Sequence, residues 1–327
     1  MKNALDLLMD VVEDTECLSP EKHILFLNGQ ETETLSPYQI DIVQPFKPLA
    51  SNEPVNYAEN LYDVVLILGS KHVKETRFYI ARALSVLKTN GILLIAADNK
   101  ENGKRLDKWC QESGINAEIF SGHKAKCALA SKTNTLNEAV WQAWEAEGKI
   151  QKNKGGFYSC PGLFSWDRID AASRLLIDTI DMPLTGHGAD FGCGSGYLGK
   201  SILEKHKGIK SLDGYDADLR ALEACQQNLA EANIPINTFW EDLGLPQTLC
   251  KKYDFIVMNP PFHEGRQDTP ALGLSFIQNA ANALKRKGVL WMVANHHLPY
   301  EQTLSHCFFK VEKCTEENGF KVFRAEK

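Results

Sequence analysis

Four residues late in the chain, Asn259-Pro260-Pro261-Phe262, are suited by type and order to holding an amino group. The two prolines end the apolar run "YDFIVM" before them, since each lacks a backbone donor and fixes its own φ. The side-chain carbonyl of Asn259 and the backbone carbonyl of Pro260 can then accept from one NH2 group. Phe262 offers a face on which a flipped-out planar base can stack. An exocyclic amine on a base is a poor nucleophile, because its lone pair is delocalised into the ring. Catalysis on it therefore needs orientation more than a strong base. The plainer use of the four residues is a stiff turn with no chemistry. His263 and Glu264 follow directly. Either could meet a ring donor such as guanine N1–H, or only hydrogen bond within the loop.

A second constellation lies 67 residues upstream, counted from Gly192 to Asn259, in "GADFGCGSGYLG" (188–199). Gly192, Gly194 and Gly196 let the backbone adopt positive φ and come close to a ligand. Residues 194–199 also spell the G-x-G-x-x-G of dinucleotide-binding loops, so NAD is a competing cofactor. Asp190, just before the first glycine, favours S-adenosylmethionine: it can accept from that cofactor's ammonium group and would repel a pyrophosphate. Asp216, at the end of the next strand in "GYDAD", can accept from both ribose hydroxyls of either cofactor. Asp242, in "FWEDLG", is placed for an adenine amino group, with helix capping as its plainer use. Asp218 reads as the N-cap of the following helix.

These residues need a scaffold of alternating strands and helices, and the second half supplies the pattern. "GADFG", "SLDGY", "INTFW", "YDFIVM" and "GVLWMVAN" read as strands; helices lie between most of them, and two late strands, "CFFKVEKC" and "FKVFRAE", follow. Such alternation implies a doubly wound α/β sheet, parallel in its main part. The first half follows the same plan. "ALSVLKTNGILLIAADN" (83–99) lies on "AANALKRKGVLWMVANH" (280–296) without gaps, and "YDVVLILGSK" (62–71) lies on "YDFIVMNPPF" (253–262). In both copies a helix is expected to end at the matched glycine, Gly91 or Gly288, used as a left-handed cap. Where the second copy has Asn259 to Phe262, the first has Leu68-Gly69-Ser70-Lys71, and its early strand "HILFLNG" has no glycine-rich loop after it. The expected organisation is a degenerate N-terminal domain (1–135), a connection (136–156) with a helix and a Lys/Gly-rich stretch, and a catalytic domain (157–327).

Composition narrows the classes. The chain has 327 residues, 43% hydrophobic, and a net charge of −6, with 16 basic against 21 acidic residues before position 151 and 20 against 21 after it. A general nucleic-acid binder would not carry that balance. An RNA partner would have to meet local basic patches such as "GKIQKNKGG" (148–156) or "KRKG" (285–288), which otherwise read as solvated surface. Nine scattered cysteines with no CxxC pair argue for a reducing, cytoplasmic setting and against zinc or disulfides. No apolar run approaches the ~20 residues of a membrane helix, and "MKNALDLLMDVVEDTE" is too acidic for a signal peptide.

The order of glycine loop and Asn-Pro-Pro-Phe resembles the class I amino methyltransferases, whose [ND]-PP-[FYW] motif follows the fourth strand. More narrowly, "PGLFSWDRIDAASRLL" (161–176), "NPPFHEG" (259–265), "VANHHLPYE" (293–301) and "FKV" (320–322) are similar to the ribosomal RNA small subunit methyltransferase C family and its large-subunit relative. The resemblance is strong over about 160–327 and one of plan in the first half. It implies two tandem methyltransferase domains, the first degenerate and the second with a mixed seven-stranded sheet. It further implies S-adenosylmethionine as cofactor and guanine N2 of 16S rRNA in the assembled 30S subunit as target; no metal and a monomeric enzyme are expected beside it. Ala172 departs from the glycine expected between Asp170 and Ser173, which the resemblance implies to lie on the cofactor side. Competing readings are the large-subunit rRNA activity, glutamine-N5 methylation of release factors (where the fourth motif residue is typically Tyr), an NAD-dependent oxidoreductase and a non-catalytic RNA-binding module.

Overall fold

The computed structural model describes residues 2–47, 58–133, 136–247, 249, 252–261, 263–264, 267–268 and 270–327, without the side chains of 263, 264, 267, 268 and 270. The chain divides into two compact units, Met1–Lys149 with Cys160–Gly162, and Ile150–Ser159 with Leu163–Lys327. Among the described residues no helix is long and apolar enough to cross a membrane.

The first unit is built on strands β1 (Ile24–Leu27), β2 (Ile40–Val43), β3 (Tyr62–Leu68), β4 (Leu87–Asp98), β5 (Ala117–Gly122) and β6 (Ala125–Ser131). They form one sheet in the order β2-β1-β3-β4-β6-β5, with β6 and β5 antiparallel to their neighbours. Alternation along β3 splits the core into two layers. Val64 and Leu66 join the face covered by helix α1 (Ala4–Thr15), whose N-terminus is closed by a capping box between Asn3 and Asp6. Val65 and Ile67 join the other face, covered by α2 (Val73–Val86), α3 (Leu106–Glu112) and α4 (Glu138–Gly148). Trp144 of α4 is buried in that layer. The helix expected in the connection thus packs into the first unit, and the crossing between units at Lys149–Ile150 falls within the 136–156 stretch.

The second unit opens with the short pair β7 (Gln151–Lys152) and β8 (Tyr158–Ser159), then α5 (Ala171–Thr179). Strands β9 (Thr185–Phe191), β10 (Gly208–Asp216), β11 (Ile236–Trp240) and β12 (Tyr253–Met258) follow, with α6 (Tyr197–Lys205) and α7 (Leu219–Leu229) in between. The hairpin β13 (His263–Glu264) and β14 (Gln267–Asp268) precedes α8 (Pro270–Ala283), β15 (Leu284–Asn295), α9 (Glu301–Cys307), β16 (Lys310–Glu317) and β17 (Phe320–Glu326). The seven-stranded sheet runs β11-β10-β9-β12-β15-β17-β16, parallel except around β17. The strand order turns back at β9, which pairs with β10 on one side and β12 on the other. Ligands of doubly wound sheets bind at the carboxyl ends of the strands at this switch point.

The two matched stretches repeat each other in detail, with one correction. Helices α2 and α8 end at Val86 and Ala283, before the matched glycines, and the strands β4 and β15 begin at once. The left-handed residues are Asn90 (φ 63°) and Lys287 (φ 67°), not Gly91 and Gly288. The glycines are needed for close approach instead: a Cβ there would lie 2.9 Å from the carbonyl oxygen of Lys88 or Lys285. The surrounding hydrogen bonds are duplicated too. Lys88 pairs with Asp63 and Lys285 with Asp254, both at 2.8 Å. Those carboxylates accept from the backbone N–H of His23 (3.0 Å) and His187 (2.8 Å). The Tyr62 hydroxyl donates to Asp41 (2.6 Å) and the Tyr253 hydroxyl to Asp213 (2.8 Å).

Candidate active site

The glycine loop leaves β9 at Phe191 and enters α6 at Tyr197. Gly192, Gly194 and Gly196 all have positive φ (73°, 51° and 84°), as their residue types predict. The loop hangs on the end of β10: the N–H groups of Gly192 and Cys193 donate to the Tyr215 carbonyl at 2.8 and 2.9 Å. A Cβ on Gly196 would strike Cys225 Sγ at 2.9 Å, whereas one on Gly194 would meet nothing within 4 Å. Gly196 is thus required by the packing beneath the loop, while Gly194 borders open space.

Two carboxylates sit against this loop. Asp216 ends β10; its Oδ2 accepts from Gly194 N–H at 2.8 Å and its Oδ1 from Asp218 N–H at 2.9 Å. Each oxygen keeps a lone pair for a further donor. Burial pushes its carboxyl up to about 6, opposed by these backbone donors. Asp190 is buried at 1% exposure; Oδ2 accepts from Gly199 N–H at 3.1 Å, while Oδ1 has no partner among the described residues. Burial pushes Asp190 up to about 7, and the nearby Asp216 charge adds to the rise. A buried carboxylate oxygen without a donor is costly, and a positive group arriving beside it would relieve that cost. Asp218 caps α7 and is also held by the Arg220 guanidinium at 2.7 Å. Asp242 Oδ1 accepts from Gly244 N–H at 2.8 Å, a local turn in place of the helix cap that was its plainer use.

Asn259 follows β12, and its amide nitrogen is held by two acceptors. Its Nδ2 donates to Asp170 Oδ2 at 3.0 Å and to Ser173 Oγ at 2.9 Å. Asp170 is at the same time the N-cap of α5, accepting from Ser173 N–H at 2.8 Å. Both amide hydrogens are therefore committed, and among the described residues nothing donates to Asn259 Oδ1. Ala172, in place of the expected glycine, is buried at 2% against the core below α5 and leaves this arrangement intact.

Asp170, Ser173, Gly192, Gly194 and Asn259 line one solvent-open cleft. Asp216 reaches this cleft through Gly194 N–H; neither it nor Asp190 or Asp242 forms part of the lining. Pro260 is buried and Pro261 exposed. Phe262 lies outside the described residues. His263 and Glu264 form the first strand of a hairpin, pairing with Asp268 and Gln267. The cleft also holds Phe164, 62% exposed, and Arg168, neither singled out by residue-level reasoning. The only prior sign of them was their position in the family-like "PGLFSWDRID" stretch.

The sheet order, the glycine loop at its switch point and a motif loop after the fourth strand define a class I methyltransferase fold in the second unit. Comparison with known proteins agrees. A family model described as methyltransferase small domain matches residues 154–324. Ribosomal RNA small subunit methyltransferase C of Shewanella pealeana is 30% identical over 294 residues, covering 86% of this chain and 83% of that protein. The protein of the same name from Sodalis glossinidius is 29% identical over 271 residues, covering 80% and 73%. A solved structure, the T. thermophilus 16S rRNA N2 G1207 methyltransferase in complex with AdoMet and guanosine, aligns over 98% of this chain and 92% of its own. Its TM-score of 0.79 at 20% identity is a likeness of fold. The chain belongs to the ribosomal RNA small subunit methyltransferase C family.

Proposed function

We propose that this protein transfers a methyl group from S-adenosylmethionine to the exocyclic N2 amine of a guanine in 16S rRNA. The target corresponds to the G1207 named for the T. thermophilus protein. The preferred substrate is the assembled 30S subunit, met in the cytoplasm by a monomer. The observation that carries the reading is the state of Asn259. With both amide hydrogens held by Asp170 and Ser173, the side chain can offer a substrate only the acceptor Oδ1. An acceptor fits an amine and not a carbonyl.

The residues present fit the cofactor. Asp190 has an unpartnered buried oxygen suited to an ammonium group, Asp216 has spare lone pairs for ribose hydroxyls, and Gly194 borders space open to a ligand. Asp242 is assigned to the adenine amino group, with its Oδ2 free of the turn made by Oδ1. The cofactor supplies an electrophilic methyl group on a sulfonium. The chain's task is then to bring a weak nucleophile into line with it. Asn259 Oδ1 and the Pro260 carbonyl accept from the guanine NH2 and turn its lone pair toward the methyl group. Phe262 stacks on the base, and His263 or Glu264 meets its N1–H edge. The amine proton leaves late, to water or a neighbouring group, so no strong base is needed. Orientation of this kind is worth several powers of ten in rate.

Purified protein should transfer labelled methyl groups to 30S subunits lacking the modification, assayed in parallel with 50S subunits and naked rRNA. Transfer to 30S is the expected result. Labelling of 50S alone would reassign the substrate to the large-subunit activity. No transfer to any of the three, with the cofactor bound, would overturn the reading.

A further inference from the structure

We propose that Asp170 is a positioning residue that locks the amide of Asn259 in one orientation and thereby requires asparagine, rather than aspartate, at position 259. The proposal rests on the reading of Asn259 given above, and it assigns the lock to a residue 89 positions earlier in the chain.

A primary amide can be turned end for end, and the two faces offer a substrate opposite things. At most sites the choice is set by a mixture of donors and acceptors. Here it is set by charge. An ionised carboxylate only accepts, so the amide nitrogen must face Asp170; the flipped amide would set Oδ1 against Asp170 Oδ2 at about the observed 3.0 Å. Ser173 Oγ takes the second amide hydrogen at 2.9 Å, so nitrogen is saturated and only Oδ1 remains for the substrate. The same carboxylate oxygen is anchored by Ser173 N–H at 2.8 Å at the start of α5. That anchor fixes where the lock stands. Ser173 itself is 7% exposed, so the contact is shielded from competing water.

The lock also explains why one of the two side chains used at this motif position is excluded here. Aspartate at 259 would bring two carboxylates to hydrogen-bond distance, and they could not both stay ionised. The exclusion is specific to the partner, which makes it reversible. When Asn259→Asp is combined with Asp170→Asn, the second charge is gone, and the Ser173 hydroxyl and the new amide can both donate to the carboxylate while the amide oxygen is left to cap α5.

Three variants separate the lock from a general structural role. Serine is a good N-cap, so Asp170→Ser keeps α5 closed but is too short to hold Asn259. It is expected to lower kcat roughly 10- to 100-fold, the worth of a hydrogen bond to a charged group, with the S-adenosylmethionine Kd within about threefold of the unchanged chain. Asn259→Asp alone should lose at least as much, and Asn259→Asp with Asp170→Asn should recover most of that loss, giving a large coupling energy in the double-mutant cycle. The side-chain amide protons of Asn259 provide a readout apart from turnover: in 15N-labelled protein they should exchange slowly, and Asp170→Ser should expose them. A double variant no better than Asn259→Asp, or an Asp170→Ser whose defect lies in cofactor Kd with kcat unchanged, would overturn the proposal. If no rRNA is methylated by the unchanged chain, the functional reading fails while the amide exchange still tests the lock.

Discussion

Strand by strand, the two sheets can be laid over one another through their own pairing registers. The first, β2-β1-β3-β4-β6-β5, matches β10-β9-β12-β15-β17-β16 of the second, and only β11 has no counterpart. With Tyr62 on Tyr253, the register sets Phe26 on Asp190, Gln44 on Asp216 and Leu68 on Asn259. The scaffold bonds survive in both copies, Tyr62 to Asp41 as Tyr253 to Asp213, and Lys88 to Asp63 as Lys285 to Asp254. Asp190, Asp216 and Asn259 are all replaced in the first. The Phe26 ring is fully buried and occupies the space under Gly29, where a Cβ would come within 2.3 Å of it. A sheet frame and a binding site are thus separable: the frame needs its edge-to-edge bonds, the site needs a few side chains that the frame does not.

The comparison can be broken most sharply by moving residues across it. Asn259→Leu gives the second sheet what the first has in Leu68. Methyl transfer should fall by about 1,000-fold or more as the amine loses its orienting acceptor, with cofactor affinity little changed in calorimetry. Asp216→Asn removes the charge from that position, as Gln44 does in the first sheet, and leaves one acceptor oxygen where the loop uses two, so the N–H of Gly194 or of Asp218 loses its partner. Cofactor affinity should fall about 10- to 100-fold, the cost of one hydrogen bond to a charged group, and a titration would measure it.

The two raised carboxyls give the second sheet a pH dependence at positions where the first has Phe26 and Gln44, which do not titrate. Asp190 is pushed up to about 7 and Asp216 to about 6, against an ordinary value of 3.8. The native state then binds more protons than the unfolded chain between about pH 4 and 7, so their contribution stabilises at low pH and is lost as pH rises through about 6 to 7. Replacing Asp190 by Asn should flatten this trend: the drop in Tm of cofactor-free protein from about pH 5 to about pH 7.5 shrinks by several degrees. The smallest effect concerns the shared frame. Lys88→Ala and Lys285→Ala break equivalent, partly exposed ion pairs, so each should cost less than about 1 kcal/mol, and thermal melts should find them alike.

What could be read from the residues alone follows range along the chain. The glycine loop, the Asn-Pro-Pro turn and the alternation that positions them are local patterns, and the register match of the two halves needed only two aligned stretches. The fate of Asn259 is not local: its partners stand 89 and 86 residues away, and no spacing rule joins them. The helix ends differ from expectation for a physical reason. Gly91 and Gly288 suggest left-handed caps, but the left-handed residues are Asn90 and Lys287, and the glycines serve close backbone contacts instead. Trp144 likewise joins α4 to the first core, although the polar sequence around it reads as a connection. Phe164 in the cleft carries no chemical signal of its own, since one exposed phenylalanine is ordinary in a sequence.

The central claim is that one sheet keeps a cofactor site and the other has filled its own. Isothermal titration of the full chain with S-adenosylmethionine tests it most directly. The account predicts one site per chain, lost or strongly weakened in Asp216→Asn and retained in a Phe26→Ala variant of unchanged stoichiometry. Two sites per chain, or a single site untouched by Asp216→Asn, would contradict it.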